Sequence, residues 1–172
     1  MFIDLSDVLS EHHKTVDKVV PVEMVAFESS MGVMPIREKS DAHIVVEHVK
    51  ERELLITGNC QLVIEIPCDR CLEPVNTAFE LEFTKNVNLT DDEIDELDEK
   101  NYIDGYNLDV DKLLYNEILI GWPMKILCSE DCKGICNTCG QNLNKGTCNC
   151  EDTSLDPRMS VIRDVFKNFK EV

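Results

Sequence analysis

Cysteine is the residue type in this sequence with the most obvious chemistry, and its nine copies are unevenly placed. Six of them lie between Cys128 and Cys150, with the spacing C-x3-C-x3-C-x2-C-x8-C-x-C, and two more form the pair Cys68-x2-Cys71. A C-x2-C turn lets two thiolates reach one ion, and zinc takes four such ligands in a tetrahedron. The spacing therefore predicts metal-binding cysteines, with zinc as the ion.

The eight clustered cysteines divide by position into two sets of four. The local set, which can close a site within one short loop, is Cys136, Cys139, Cys148 and Cys150. The second set would join the early pair to the two cysteines that remain, giving Cys68, Cys71, Cys128 and Cys132. Because a C-x-C half-site is unusual, Cys132 could instead replace one member of the last pair. The sequence leaves open whether the chain holds one or two zinc ions.

The segment 128–150 has no hydrophobic periodicity and is rich in glycine and asparagine. Such a segment cannot bury enough apolar surface to order itself. A structural zinc ion contributes on the order of 10 kcal/mol to folding, which is enough to order it. We therefore expect the zinc to be structural. The ninth cysteine, Cys60, lies in a strand-like stretch and is expected to pack as a small apolar residue.

Thiols in this arrangement have three other uses. A thiol–disulfide redox protein using Cys68 and Cys71 is the alternative function, although redox C-x2-C motifs usually open a helix and Pro74 follows this pair closely. An iron–sulfur cluster fits less well, because the spacing matches no standard ferredoxin pattern. Unbound thiols are hard to reconcile with six cysteines in one short segment. No nucleophile–base arrangement or phosphate loop is present, so the sequence predicts no enzyme.

The elements that must position these cysteines are mainly strands. The segment 42–50 is rich in β-branched residues, and two later segments alternate apolar and other residues with a period of two. The apolar positions of those segments are Leu62, Ile64 and Ile66, then Phe79, Leu81 and Phe83. One apolar and one polar face is typical of antiparallel strands covered on one side. We predict an α+β fold with an antiparallel sheet, and closure of that sheet into a barrel-like form is left open.

One helix is predicted over residues 109–120. Asp109 can serve as the N-cap, Leu108 can pack against Leu113, and Gly121 followed by Pro123 ends the helix. The apolar stripe that marks it as a packing helix is Val110, Leu113, Leu114 and Ile118.

The rest of the chain contributes an acidic stretch and a second helix. Residues 90–101 are strongly acidic and are expected to form a solvated loop. Asp156 and Pro157 begin a predicted C-terminal amphipathic helix. Its apolar stripe is Met159, Ile162, Phe166 and Phe169. The predicted organisation is an acidic sheet body over 1–127 and a cysteine-rich segment with its helix over 128–172.

The net charge of −17 is carried by the first two-thirds of the chain. Residues 1–122 hold 27 acidic and ten basic residues, whereas residues 123–172 hold seven of each. An acidic body repels phosphate backbones, so RNA contact is expected only at the C-terminal third, and a basic protein partner is the alternative. The N-terminal segment lacks the features of a signal peptide, and no long apolar run occurs. We therefore expect a cytoplasmic protein that does not bind membranes.

Four segments in this order resemble one known family. They are CDRCLEPV from Cys68, LDVDKLLYNEILIGWPM from Leu108, LCSEDCKGICNTCGQNLNKGTCNC from Leu127 and DPRMSVIRDVFKN from Asp156. Together they resemble the YceD family of bacterial proteins, over roughly residues 50–170. Cys68, Arg70 and Cys71 match its C-x-R-C signature. The resemblance implies a non-enzymatic role in large-subunit ribosomal RNA accumulation and ribosome assembly. It also implies ribosomal RNA or a large-subunit ribosomal protein as partner, and it leaves the oligomeric state open.

Overall fold

The computed structural model describes residues 1–10, 14–50, 53–89 and 102–150. It groups the chain into two compact units. Unit 1 comprises Met1–Ile66 and Asn76–Met124, and unit 2 comprises Pro67–Val75 and the chain from Lys125 onward. The acidic stretch 90–101 and the helix predicted after Asp156 lie outside the described residues, and the division into 1–127 and 128–172 stays a prediction.

Antiparallel strands make up most of unit 1, and they confirm the α+β fold class. In chain order the elements are β1 (Phe2–Asp4), α1 (Ser6–Ser10), β2 (Thr15–Val20), β3 (Ala26–Ser29), β4 (Gly32–Lys39), β5 (Ala42–Lys50), β6 (Glu53–Pro67), β7 (Pro74–Asn88), β8 (Ile103–Asp104), β9 (Asn107–Asp109) and α2 (Val110–Ile120). The last residue of β6 and the first two of β7 belong to unit 2. Within the described ranges, no helix is long and apolar enough to cross a membrane.

The long strand β6 is the centre of the larger sheet. β5 pairs antiparallel with the first half of β6, where His43 lies opposite Asn59. β4 pairs antiparallel with the second half of β6, where Glu38 lies opposite Val63. β7 also pairs with β6, while β2 and β3 pair with β5 and β4. The described strand order is β2-β5-β6-β4-β3, and its two end strands do not pair with each other. Over the described part of the chain the sheet is therefore open, and the barrel-like closure that the sequence left open is not formed.

The predicted alternation of apolar and polar residues is confirmed in β6 and β7. Along β7 the side chains of Phe79, Leu81 and Phe83 are buried, while Glu80 and Glu82 between them are exposed. A strand covered on one side places alternate residues in the core, which gives this period of two. The apolar side chains of β6 that join them in the core are Leu54, Ile56, Leu62, Ile64 and Ile66.

One glycine of β6 allows a close approach within this core. A Cβ atom added at Gly58 would lie 2.6 Å from Cζ of Phe83 and 2.7 Å from Cδ1 of Ile44. Such distances are shorter than van der Waals contact, so a larger residue would displace both side chains. Gly58 therefore lets the aromatic ring of Phe83 pack directly over the backbone of β6.

Helix α2 forms as predicted. The Asp109 carboxylate accepts a hydrogen bond from the backbone N–H of Lys112 at 3.3 Å, and the N–H of Gly121 donates to the carbonyl of Glu117 at 2.9 Å. All four predicted stripe residues are buried, namely Val110, Leu113, Leu114 and Ile118. Beside the helix, the ring of Phe27 stacks on Trp122 with centroids 5.1 Å apart. The helix therefore belongs to the core of unit 1.

Candidate metal centres

Unit 2 brings eight thiols together in two groups of four. The first, here called the inner cluster, consists of Cys68, Cys71, Cys128 and Cys132. The second, here called the loop cluster, consists of Cys136, Cys139, Cys148 and Cys150. Within each group all four sulfur atoms lie within 4.8 Å of one another. These are the two sets that the spacing predicts, and Cys132 belongs to the inner cluster instead of replacing a member of the last pair.

The turn that carries the first two inner thiols is closed by its own backbone. It lies between Pro67, the last residue of β6, and Pro74, the first residue of β7. The N–H of Cys68 donates to the carbonyl of Glu73 at 2.8 Å, and the N–H of Leu72 donates to the carbonyl of Cys68 at 2.9 Å. These bonds hold the two thiols of the pair on the same side of the turn.

Backbone hydrogen bonds bring the later segment to this turn. Asp69 donates from its N–H to the carbonyl of Ile126 at 2.9 Å, and its carboxylate accepts from the N–H of Ile126 at 2.6 Å. The carbonyl of Arg70 accepts from the N–H of Ile135 at 3.1 Å, and its guanidinium donates to the carbonyl of Cys132 at 2.8 Å. The two residues between the cysteines of the pair therefore position the other two inner thiols.

The loop cluster is built from a second turn of the same kind. The N–H of Gly140 donates to the carbonyl of Cys136 at 2.8 Å, as Leu72 does to Cys68 in the first turn. The N–H of Cys136 donates to the carbonyl of Gln141 at 2.8 Å and thereby closes the turn. The N–H of Thr138 also points at the Cys136 sulfur, 3.4 Å away. Both C-x2-C segments thus fold by one hydrogen-bonding scheme.

The two turns differ at the residue after the second cysteine. Both place it in the left-handed region, with φ of 61° at Leu72 and 73° at Gly140. Glycine adopts this region freely, whereas a residue with a Cβ loses about 1 kcal/mol there. The first turn therefore carries a conformational cost that the second avoids.

Burial also distinguishes the two clusters. In the inner cluster Cys68, Cys71 and Cys132 are at most 4% exposed, and only Cys128 reaches the surface. The side chains packed against these sulfurs are Val75, Leu127 and Ile135. In the loop cluster no thiol is buried: Cys139 is exposed and the other three are half-buried. Solvent therefore reaches the loop cluster more readily.

The inner thiols have opposed proton affinities. Burial disfavours the charged form of Cys68, but hydrogen bonds donated by the backbone N–H groups of Arg70, Cys71 and Cys128 lower the pKa of this thiol to about 6. The hydrogen bond with Cys71 is the largest cause that raises the pKa of Cys128 to about 12. Protons therefore remain on part of the cluster when no cation is present.

The loop cluster repeats this pattern. Hydrogen bonds from the backbone N–H groups of Cys139 and Thr138 lower the pKa of Cys136 to about 6. The hydrogen bond with Cys139 is the largest cause that raises the pKa of Cys150 to about 12. Four thiolates this close together repel one another, so full ionisation needs a cation among them.

Two sulfur–sulfur distances in the inner cluster match the edge length of a tetrahedral zinc site. A tetrahedron with metal–sulfur bonds of about 2.3 Å has sulfur–sulfur edges of about 3.8 Å. The sulfurs of Cys68 and Cys132 are 3.8 Å apart, and those of Cys71 and Cys128 are 3.5 Å apart. A disulfide would need about 2.05 Å, and all nine cysteines are free. The donor sets and distances therefore suit metal ligation and do not suit disulfides.

Polar residues around the inner cluster were not identified from the sequence. The side-chain N–H₂ of Asn144 donates to the sulfur of Cys132 at 3.2 Å. Glu73 accepts hydrogen bonds from Asn142 at 3.2 Å and from Lys145 at 2.6 Å. Outer groups of this kind orient metal ligands and stabilise their charge. The sequence signal that could have identified these polar residues is the run of asparagine and lysine over 141–145, which lies in a loop between cysteines.

The ninth cysteine lies apart from both clusters. Cys60 is in β6, is 3% exposed, and has its sulfur 3.8 Å from the Ser40 hydroxyl. Burial is the largest cause that raises the pKa of this thiol. The assignment of the eight other cysteines as metal ligands stays a prediction, for which the geometry supplies the donor sets.

Comparison with known proteins adds sequence relatives but no structural ones, since no solved structure matches the chain. Uncharacterised proteins of Mycobacterium tuberculosis and Mycobacterium bovis are 29% identical over 103 residues, which covers 58% of this chain and 49% of theirs. A maize protein, "Large ribosomal RNA subunit accumulation protein YCED homolog 1, chloroplastic", is 25% identical over 172 residues, or 80% of this chain and 57% of its own. The chain thus spans about half the length of these relatives. A family model described as "Large ribosomal RNA subunit accumulation protein YceD" matches residues 56–166, and the chain therefore belongs to the YceD family.

Proposed function

We propose that this chain is a non-enzymatic factor for the accumulation of large-subunit ribosomal RNA, acting in the cytoplasm during ribosome assembly. Membership of the YceD family is the observation that carries the proposal. The name of the maize relative points in the same direction. The described residues also offer two groups of four thiols that suit structural metal ions.

Zinc in this proposal is structural, with one ion in each cluster. The inner ion would be held by Cys68, Cys71, Cys128 and Cys132, and the loop ion by Cys136, Cys139, Cys148 and Cys150. Bound zinc would neutralise part of the thiolate charge and supply free energy of folding. Four thiolates leave no ligand position for water, so such sites do not activate a nucleophile.

The charge of unit 2 favours a protein over RNA as the direct partner. The described part of unit 2 carries four basic and four acidic residues. Each zinc ion with four thiolates adds a net charge of −2, so the zinc-loaded unit is negative. Most contacts to RNA require positive groups facing the phosphates. A basic ribosomal protein of the large subunit therefore fits this chain better than ribosomal RNA does.

Burial argues against the redox alternative. Thiol–disulfide exchange requires an attacking thiolate that another disulfide can reach. Cys68 is fully buried and Cys71 is 4% exposed. Their sulfurs are also surrounded by the other two inner thiols, which makes metal ligation the better use of the pair.

The test of the proposed function is depletion of the protein in its own cell. We expect the ratio of large-subunit to small-subunit ribosomal RNA to fall, and expression of the wild-type chain to restore it. An unchanged ratio after complete depletion would contradict the proposal.

Elemental analysis of the reduced protein tests the metal part separately. We expect two zinc ions per chain, one for each cluster. Iron in place of zinc would overturn the assignment of the metal, and one zinc would restrict ligation to a single cluster.

A further inference from the structure

Leu72 combines two unfavourable features in one short turn of unit 2. Its backbone is left-handed, with φ of 61°, and its side chain is 64% exposed. Among the described non-glycine residues it is the only one with a positive φ. Strain of this kind persists where the surrounding structure or a function requires it.

The second turn shows that the fold does not need a side chain here. Gly140 holds the equivalent position after Cys139, makes the equivalent hydrogen bond and has φ of 73°. Glycine would therefore build the first turn without strain. The conformation of the turn therefore does not explain why a leucine side chain is present at position 72.

Packing within unit 2 does not explain this side chain either. The apolar residues that cover the inner cluster are Val75, Leu127 and Ile135, and Leu72 is not among them. A side chain that is 64% exposed leaves most of its apolar surface in water. The backbone of Leu72 is thus strained, and its apolar side chain is exposed to water. A glycine at this position would have neither disadvantage.

We propose that Leu72 is an anchor residue that inserts into an apolar pocket on a basic protein partner. The turn is rigid because Cys68 and Cys71 are buried and the loop is closed by backbone hydrogen bonds. The neighbouring residue Arg70 is exposed, and its guanidinium is fixed by a hydrogen bond to the carbonyl of Cys132. A pre-organised apolar side chain loses little entropy on binding, which is an advantage for an interface anchor.

Charge and chemistry identify the class of partner. The chain has a net charge of −17, and its zinc-loaded unit 2 is negative, so a basic surface is complementary. A leucine side chain offers neither a hydrogen bond nor an aromatic face to a nucleobase, which are the means of RNA recognition. The choice of a ribosomal protein as probe rests on the proposed function, whereas the choice of Leu72 as contact does not.

The experiment uses the full zinc-loaded chain and the purified proteins of the large ribosomal subunit. The immobilised chain is expected to retain a defined basic protein, and its affinity is then measured by biolayer interferometry. Leu72→Gly should weaken this affinity by at least about tenfold, because one buried leucine side chain is lost from the interface. The variant should keep its zinc and unfold at the same or a higher temperature, because the strain is removed.

Two control variants separate the side chain from general effects. Leu72→Met keeps an apolar side chain of similar volume and should keep most of the affinity. Ile120→Ala shortens a side chain of unit 1 that is 63% exposed, and should leave the affinity unchanged.

Equal affinity of Leu72→Gly and the wild type would overturn the proposal. So would retention of no large-subunit protein, or a Leu72-dependent affinity for ribosomal RNA instead. The proposed function fails on a different result, an unchanged ribosomal RNA ratio on depletion.

Discussion

The two units of this chain use different sources of free energy. Unit 1 has a large apolar core, with fully buried side chains such as Phe27, Ile44 and Ile64. The described part of unit 2 has a small core whose buried members are three cysteines. Apolar burial is enough to hold a sheet and a helix together. The thiol-rich unit requires a further contribution, for which metal binding is the proposed source.

Removal of metal should show the difference in stability between the two units most clearly. Treatment of the reduced protein with a strong chelator should unfold unit 2, since structural zinc contributes about 10 kcal/mol or more to such segments. Unit 1 should keep its sheet. Hydrogen exchange measures this directly: amides of Ile135 and Leu143 should lose protection, while those of β6 keep it. Undiminished protection in unit 2 would show that zinc is not what orders it.

Single cysteine substitutions sharpen the comparison between the inner and loop clusters. Cys132→Ser and Cys139→Ser should each lower the zinc content from two ions to one per chain. The loss of stability should be larger for Cys132, which is 3% exposed, than for the exposed Cys139. Elemental analysis and denaturant unfolding check the two expectations. Cys60→Ala is the control and should retain both ions.

A core substitution in unit 1 should lower the stability of the protein without loss of zinc. Ile64 is fully buried in β6, and Ile64→Ala should lower the free energy of unfolding by about 2–5 kcal/mol because it leaves a cavity. The zinc content should stay at two ions, since unit 2 holds the eight proposed ligands. Loss of zinc in this variant would show that the metal sites depend on the core of the sheet.

The helix cap should have the smallest effect. Asp109→Ala removes the hydrogen bond to the N–H of Lys112 and should cost about 1 kcal/mol. Asp109→Ser keeps a capping oxygen and should recover most of the loss. Thermal unfolding of the two variants, with zinc content measured alongside, checks the expectation. Equal losses for serine and alanine would mean that the carboxylate acts through another contact, such as the ion pair with Lys112.

Much of the fold could be predicted because the signals are local. The alternation in β7 follows from a period of two, β5 follows from the β-branched residues of segment 42–50, and the ends of α2 follow from capping by Asp109 and Gly121. Each depends on residues only a few positions apart. The open form of the sheet was not predictable, because strand order depends on pairings between distant segments.

The sequence by itself determined that Cys136 and Cys139 share one turn and that the four cysteines of the loop cluster lie within 15 residues, but it left open whether Cys132 replaces Cys148 or Cys150. It only suggested the inner cluster. Cys68 and Cys132 are 64 positions apart, and the tertiary structure brings them together through backbone hydrogen bonds of Asp69 and Arg70. Almost any residue type can make such backbone bonds, so the sequence does not predict them. The tertiary structure also decided that Leu72 is left-handed and exposed. Local spacing sets what a short turn can bind, whereas long-range closure and solvent exposure depend on how the whole chain packs.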